Sequence, residues 1–174
     1  MILVYETFDT VAGPFTVLAD ETGASVGSET VHAAGFTDDP VRLAAMLPDS
    51  PAVKPSTTGL PRTAKAVTAY FDGDLAALDD VPVAYRPTGQ FRLTAWRAMR
   101  DVAAGNTISY AQLAADAGNP GAVRAAGSAC AANPIALFIP CHRVIRTDGS
   151  SHNYLYGLEC KAALLAHERA HTVR

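Results

Sequence analysis

Asn133-Pro134-Ile135-Ala136-Leu137-Phe138-Ile139-Pro140-Cys141-His142-Arg143-Val144 is the stretch on which the reading of this chain turns. The apolar run Ile135 to Ile139 reads as a buried, strand-like segment that delivers a thiol with an imidazole beside it, fixed by Pro140. A free cysteine is mostly thiol at neutral pH and becomes a nucleophile when a nearby base or positive charge favours the thiolate. His142 can supply that base. Neighbouring residues on an extended strand point to opposite faces, so contact between Cys141 and His142 needs a bend or an intervening water.

Downstream come a polar turn, Thr147-Asp148-Gly149-Ser150-Ser151, an aromatic loop with Tyr154 and Tyr156, and a helix expected from Glu159 to about Ala170. Glu168 lies four residues after Leu164 and three after Leu165, on the inward stripe of that helix. A carboxylate on a buried face needs a partner. The second nitrogen of His142 would be one, completing a Cys-His-Glu relay. Upstream, Leu93, Trp96, Met99 and Ala103 recur at helical spacing and would bury one face. A helix from Tyr110 to Ala117, the turn Gly118-Asn119-Pro120-Gly121 and an Ala-rich helix from about Gly121 to Ala131 give the outline of a helix-turn-helix.

The first half has a different texture. Alternating stretches Ile2 to Phe8, Phe15 to Leu18 and Ala24 to Val31, joined through Val11-Ala12-Gly13-Pro14 and Glu21-Thr22-Gly23, predict an antiparallel meander. Asp39 before Pro40 predicts a capped helix from Pro40 to Leu47. Residues 48–61 are expected to be loop, and Arg62 to Phe71 a second helix ending at Asp72-Gly73. Prolines 82 and 87 make Val81 to Gln90 the expected domain boundary. The expected fold is an α/β domain over residues 1–85, an antiparallel sheet with helices, and a mostly α domain over residues 86–174.

Composition narrows the class. The 174 residues, 49% hydrophobic, suffice for one core or two small ones. No apolar run approaches the roughly 20 residues that span a bilayer, and MILVYETFDT lacks the regions of a signal peptide, so no membrane partner and a cytoplasmic location are expected. The three cysteines, Cys130, Cys141 and Cys160, are odd in number and lack metal spacing. Free thiols, no metal and no cofactor are expected. Net charge is −3, unevenly spread: residues 1–85 carry 4 Lys/Arg against 12 Asp/Glu, and residues 86–174 carry 10 against 5. Only the second half is suited to a polyanion.

Asn133-Pro134, Pro140-Cys141-His142-Arg143-Val144-Ile145, Arg124-Ala125-Ala126-Gly127, Ile108-Ser109-Tyr110-Ala111-Gln112-Leu113-Ala114 and Leu164-Leu165-Ala166-His167-Glu168 stand in one register that strongly resembles the O6-alkylguanine-DNA alkyltransferases. The likeness covers roughly residues 86–174 and, more faintly, the hairpin Thr7 to Leu18. It implies a ribonuclease-H-like first domain and, in the second, a helix-turn-helix that enters the DNA minor groove. The partner would be double-stranded DNA bearing O6-alkylguanine, bound by a monomer. Since O6 points into the duplex, the nucleotide must be flipped out before a side chain reaches it. Arg124 matches the arginine that fills the vacated space. Ala122, Val123, Ala125 and Gly127 would line the helix face that approaches a groove about 6 Å wide.

By the same resemblance, Cys141 is the alkyl acceptor, Tyr110 the donor to guanine N3, and Asn133 the tie between the second helix and the cysteine segment. Backbone groups of Cys141 and Val144 would accept from the exocyclic amine, and amides of Tyr154 and Leu155 would donate to O6. The product is a thioether, and nothing in the sequence offers a way to cleave it, so the protein would be consumed one for one. Tyr156 stands where many members have glycine and some tryptophan, which predicts a narrow pocket that prefers methyl to benzyl. His152, at a usually small position, has no role read from the sequence. A lesion binder without reaction is disfavoured by the presence of Cys141. A transcriptional regulator leaves Pro140 to Val144 unexplained, and a cysteine hydrolase leaves Arg124 unexplained.

Overall fold

The computed structural model describes residues 1–20 and 27–172. The expected turn Glu21-Thr22-Gly23 and the start of the third strand at Ala24 lie outside the described residues. Two compact units form: Met1–Arg86 together with Pro134–Phe138, and Pro87–Asn133 together with the chain from Ile139 onward. The sequence does not announce the return of Pro134–Phe138 to the first unit.

In the first unit, β1 (Ile2–Thr10), β2 (Gly13–Asp20) and β3 (Thr30–Gly35) make an antiparallel meander as predicted, but β3 lies later than the expected Ala24 to Val31 and shares only Thr30 and Val31 with it. Gly13, at φ +109°, takes the left-handed turn conformation that closes the first hairpin. The sheet is nevertheless mixed. Residues 48–61 contain β4 (Ala52–Pro55), which pairs parallel to β1, giving the order β3-β2-β1-β4. The prolines that argue for loop are tolerated because β4 is an edge strand. Leu3, Phe15, Val17, Leu18 and Ala33 fill the core.

Helix α1 is shorter than predicted, Pro40–Ala44. The Asp39 carboxylate accepts from the amides of Val41 and Arg42 at 3.0 and 3.1 Å. Helix α2 (Pro61–Phe71) has no side-chain cap of its own. Glu6 accepts from Leu60 N (2.7 Å) and Glu29 from Thr63 N (2.9 Å), setting two carboxylates at its positive end.

Ile135 to Ile139 is not a strand. Pro134 O accepts from Ala34 N and Ala34 O accepts from Ala136 N, both at 2.9 Å, so the segment makes one bridge to β3 and then turns away. Leu137 adopts φ +71°, a left-handed conformation that costs a non-glycine residue roughly 1–2 kcal/mol. Its side chain is buried, which offsets that cost, and the turn it makes redirects the chain toward Pro140.

The second unit is mostly helical. Helix α3 (Gln90–Arg100) buries Ala95, Trp96 and Met99, while Ala103 lies beyond its end and is exposed, contrary to the predicted stripe. A short strand β5 (Ile108–Ser109) leads directly into α4 (Tyr110–Asp116), whose N-cap Ser109 accepts from Gln112 N at 3.0 Å. Helix α5 (Val123–Ala131) starts later than predicted, with Ala122 as its N-cap. Trp96 Nε1 donates to Ala129 O at 2.9 Å, fixing α3 against α5. The last helix, α6, runs Leu158–His171. No helix among the described residues is long and apolar enough to cross a membrane.

Candidate active site

Cys141, His142 and Arg143 form a single 3-10 turn, followed by the strand β6 (Val144–Ile145). β6 pairs parallel to β5, with Ile108 opposite Val144 and Ser109 opposite Ile145. Because Tyr110 follows Ser109 directly, this short pairing sets the tyrosine in register with the cysteine turn. The turn also supplies the bend between Cys141 and His142 that a strand would not.

Around the sulfur, Asn133 donates from Nδ2 to Cys141 Sγ (3.2 Å) and to Ile139 O (2.8 Å). Both Asn133 and Cys141 are buried. Burial pushes the Cys141 thiol up, and the Asn133 hydrogen bond and the Lys161 charge oppose that shift.

Behind the turn, Glu168 gathers donors from three directions. His142 Nε2 lies 2.7 Å from Oε1, Arg143 Nε reaches both oxygens at 3.2 and 3.1 Å, Arg143 Nη2 reaches Oε1 at 2.9 Å, and Gly105 N donates to Oε2 at 3.2 Å. Burial alone would raise the Glu168 carboxyl, but the hydrogen bonds and charges of His142 and Arg143 outweigh it and hold the group well below the usual carboxylate range. An ionised Glu168 can only accept, so His142 Nε2 carries the proton and Nδ1 is left with a free lone pair. Nδ1 has no hydrogen-bond partner among the described residues. Burial pulls the imidazole below its ordinary value against the pull of Glu168, which keeps it neutral and able to accept a proton. Gly105 is required where it stands: at φ +87°, a Cβ there would fall 2.1 Å from the Thr172 hydroxyl.

Tyr110 is half-buried, and burial, with the nearby Cys130 and Cys141 sulfurs, raises its phenol to about 12. It therefore remains a hydrogen-bond donor at any physiological pH. The ring meets His152 edge-on at 6.3 Å between centroids, and His152 Nδ1 lies 2.7 Å from Arg146 Nη2. Sequence reading finds no place for His152; the structure makes it a prop between Tyr110 and Arg146. Tyr154 and Tyr156 pack edge to face at 5.7 Å, and Leu155 between them is 46% exposed.

On α5, Ala126 and Ala129 face inward, while Val123, Arg124 and Ala125 are exposed. A Cβ at Gly127 would meet nothing within 4 Å among the described residues, so their packing does not require glycine there. Two buried cations go unanticipated by the sequence reading. Arg143 also donates to Val102 O at 2.6 Å, and Lys161 donates to Val144 O at 2.7 Å. Lys161 falls seven residues before Glu168, on the same stripe of α6 as Leu164 and Leu165, and that spacing is the signal that could have found it.

A model of the family described as "6-O-methylguanine DNA methyltransferase, DNA binding domain" matches residues 90–170. A methylated-DNA–protein-cysteine methyltransferase of Mycolicibacterium paratuberculosis is 40% identical over 126 residues, covering 68% of this chain and 75% of that one. The chain belongs to the methylated-DNA–protein-cysteine methyltransferase family. A member from Salmonella typhimurium is 44% identical over 99 residues, and the match spans 57% of the length of each chain. A crystal structure of Mycobacterium tuberculosis OGT in complex with DNA superposes with a TM-score of 0.76 at 30% identity, over 97% of this chain and 94% of that one. The cysteine turn and most of α6 lie inside the stretch that matches the methyltransferase family model.

Proposed function

We infer that this protein repairs DNA by moving an alkyl group, chiefly methyl, from guanine O6, and after it thymine O4, to Cys141. The observation that carries the reading is the buried Cys141 thiol, held by Asn133 and adjoining a neutral His142 that Glu168 orients. His142 Nδ1 takes the thiol proton through a water. Sulfur then attacks the alkyl carbon; the S–C bond forms as the C–O6 bond breaks, and the electron pair leaves with the base. Tyr110, kept protonated, donates to guanine N3 as charge builds there. The carbonyl of Val144 already accepts from Lys161 and has a second lone pair for the exocyclic amine. The product is a thioether, so each molecule acts once.

In this reading α4 and α5 are a helix-turn-helix, and the exposed Arg124 enters the stack as the nucleotide leaves it. The strand order β3-β2-β1-β4 with a parallel fourth strand supports a ribonuclease-H-like first domain. The protein acts as a cytoplasmic monomer on double-stranded DNA. Incubation with an O6-methylguanine duplex followed by peptide mass spectrometry tests the assignment. One stable added methyl on the Cys141 peptide is expected; an unmodified protein with bound lesion would point to a binder instead.

Replacing Arg124 by alanine should slow transfer from duplex DNA by about tenfold, roughly 1.4 kcal/mol lost from stabilising the flipped state. Transfer from the free base should be unchanged, because flipping is no longer needed. Both rates are read by gel or mass spectrometry. Tyr156 should make methyl the preferred group over benzyl, and equal rates on O6-methylguanine and O6-benzylguanine in single-turnover assays would refute that.

A further inference from the structure

The charges buried around the acceptor do not balance as they stand. Glu168 and Arg143 form an ion pair, with N to O at 2.9 Å and both side chains buried, and neutral His142 completes that group. Lys161 is left over. It is 1% exposed, its ammonium donates to Val144 O, and it forms no salt bridge with a carboxylate among the described residues. A buried ammonium without a counter-anion is costly, and proteins retain one only where something compensates it. Val144 closes the 3-10 turn that begins at Cys141, so the Lys161 ammonium is anchored at the end of the turn that carries the sulfur.

We propose that Lys161 is the countercharge of the Cys141 thiolate, a positioning residue that lets the sulfur lose its proton inside the protein. The proposal rests on the reading of Cys141 as the acceptor. With a thiolate at Cys141, two cations face two anions and the buried cluster is neutral.

The other groups nearby fit this pairing. Burial pulls Lys161 down, while Cys141 and Cys130 pull it up. His142 is disfavoured as an imidazolium by burial and by the charges of Arg143 and Lys161, so it passes a proton on and is a poor partner for a lasting thiolate. Cys130, on α5, is pushed up by burial and by Cys141, and Cys160 is raised to about 12, so neither competes as an anion. Tyr110, from α4, is raised by burial and by the sulfurs of Cys130 and Cys141, and stays neutral. Asn133 adds a neutral donor.

Two measurements test it. Lysine occurs only at positions 54, 65 and 161, so the side-chain resonance of Lys161 can be followed in lysine-labelled protein. If the pairing exists, C141S should lower the Lys161 titration by about one pH unit, a tenfold change in protonation. An unchanged titration overturns the proposal. In K161Q, which keeps a donor for Val144 O without the charge, the ultraviolet thiolate signal of Cys141 should need a pH about one unit higher than in wild type. K161Q titrating like wild type would overturn it too, and would mean that Lys161 only braces Val144. Neither readout requires alkyl transfer, so failure of the acceptor reading would show separately, as wild-type protein left unmethylated by the lesion duplex.

Discussion

Cys141→Ser is expected to abolish methyl transfer while leaving binding to lesion DNA within about twofold, because the exposed face of α5 is untouched. An alcohol buried at this position stays protonated, because neither Asn133 nor His142 can bring a hydroxyl near neutral pH. Losing a nucleophile costs on the order of 10^4-fold or more in rate. Affinity measured by fluorescence anisotropy on an O6-methylguanine duplex should persist. Loss of binding along with transfer would mean that the thiol is part of the recognition surface.

Glu168→Gln should be the most damaging change behind the site. The carboxylate pairs with Arg143 and His142 and accepts from Gly105 N, and it is wholly out of solvent. An amide of the same shape leaves the Arg143 cation unpaired, a penalty of about 3–5 kcal/mol for a broken buried pair. It also frees the imidazole to turn, which should slow transfer by about 10^2-fold. Urea denaturation measures the first effect and single-turnover assays the second. The pH dependence has a definite sign. Glu168 is held low in the folded protein, so its stabilisation is fully present above the unfolded carboxylate pKa of about 4.3 and drains away as pH falls below it. The stability difference between wild type and Glu168→Gln should therefore hold at neutral pH and shrink below about pH 4.3.

Some parts of this architecture are legible in the sequence for physical reasons. The meander alternates, Asp39-Pro40 is a helix start, and Glu168 shares a stripe with two leucines, so period and cap chemistry carry them. Other parts depend on partners distant in the chain. β4 is short, flanked by proline and defined only by its pairing with β1. Ile135 to Phe138 has the composition of a strand, but apolarity reports burial, and one bridge to Ala34 is the backbone pairing it makes. The carboxylate beside His142 can be named from the helix stripe. Arg143 has no such stripe to report it, and Lys161, though on the stripe of Glu168, reads as solvated because arginine and lysine are rarely buried and charge alone argues for the surface.

The place of α6 in the chain has a consequence for how the protein is made. Glu168 follows His142 by 26 residues, and Lys161 follows Val144 by 17. During synthesis the cysteine is therefore joined to the chain before either partner, and until α6 docks it is an ordinary thiol with neither Glu168 nor Lys161 behind it. In the proposed reaction the acceptor site would be complete only after this last-made segment has docked, so activation of the thiol would be a late event in folding.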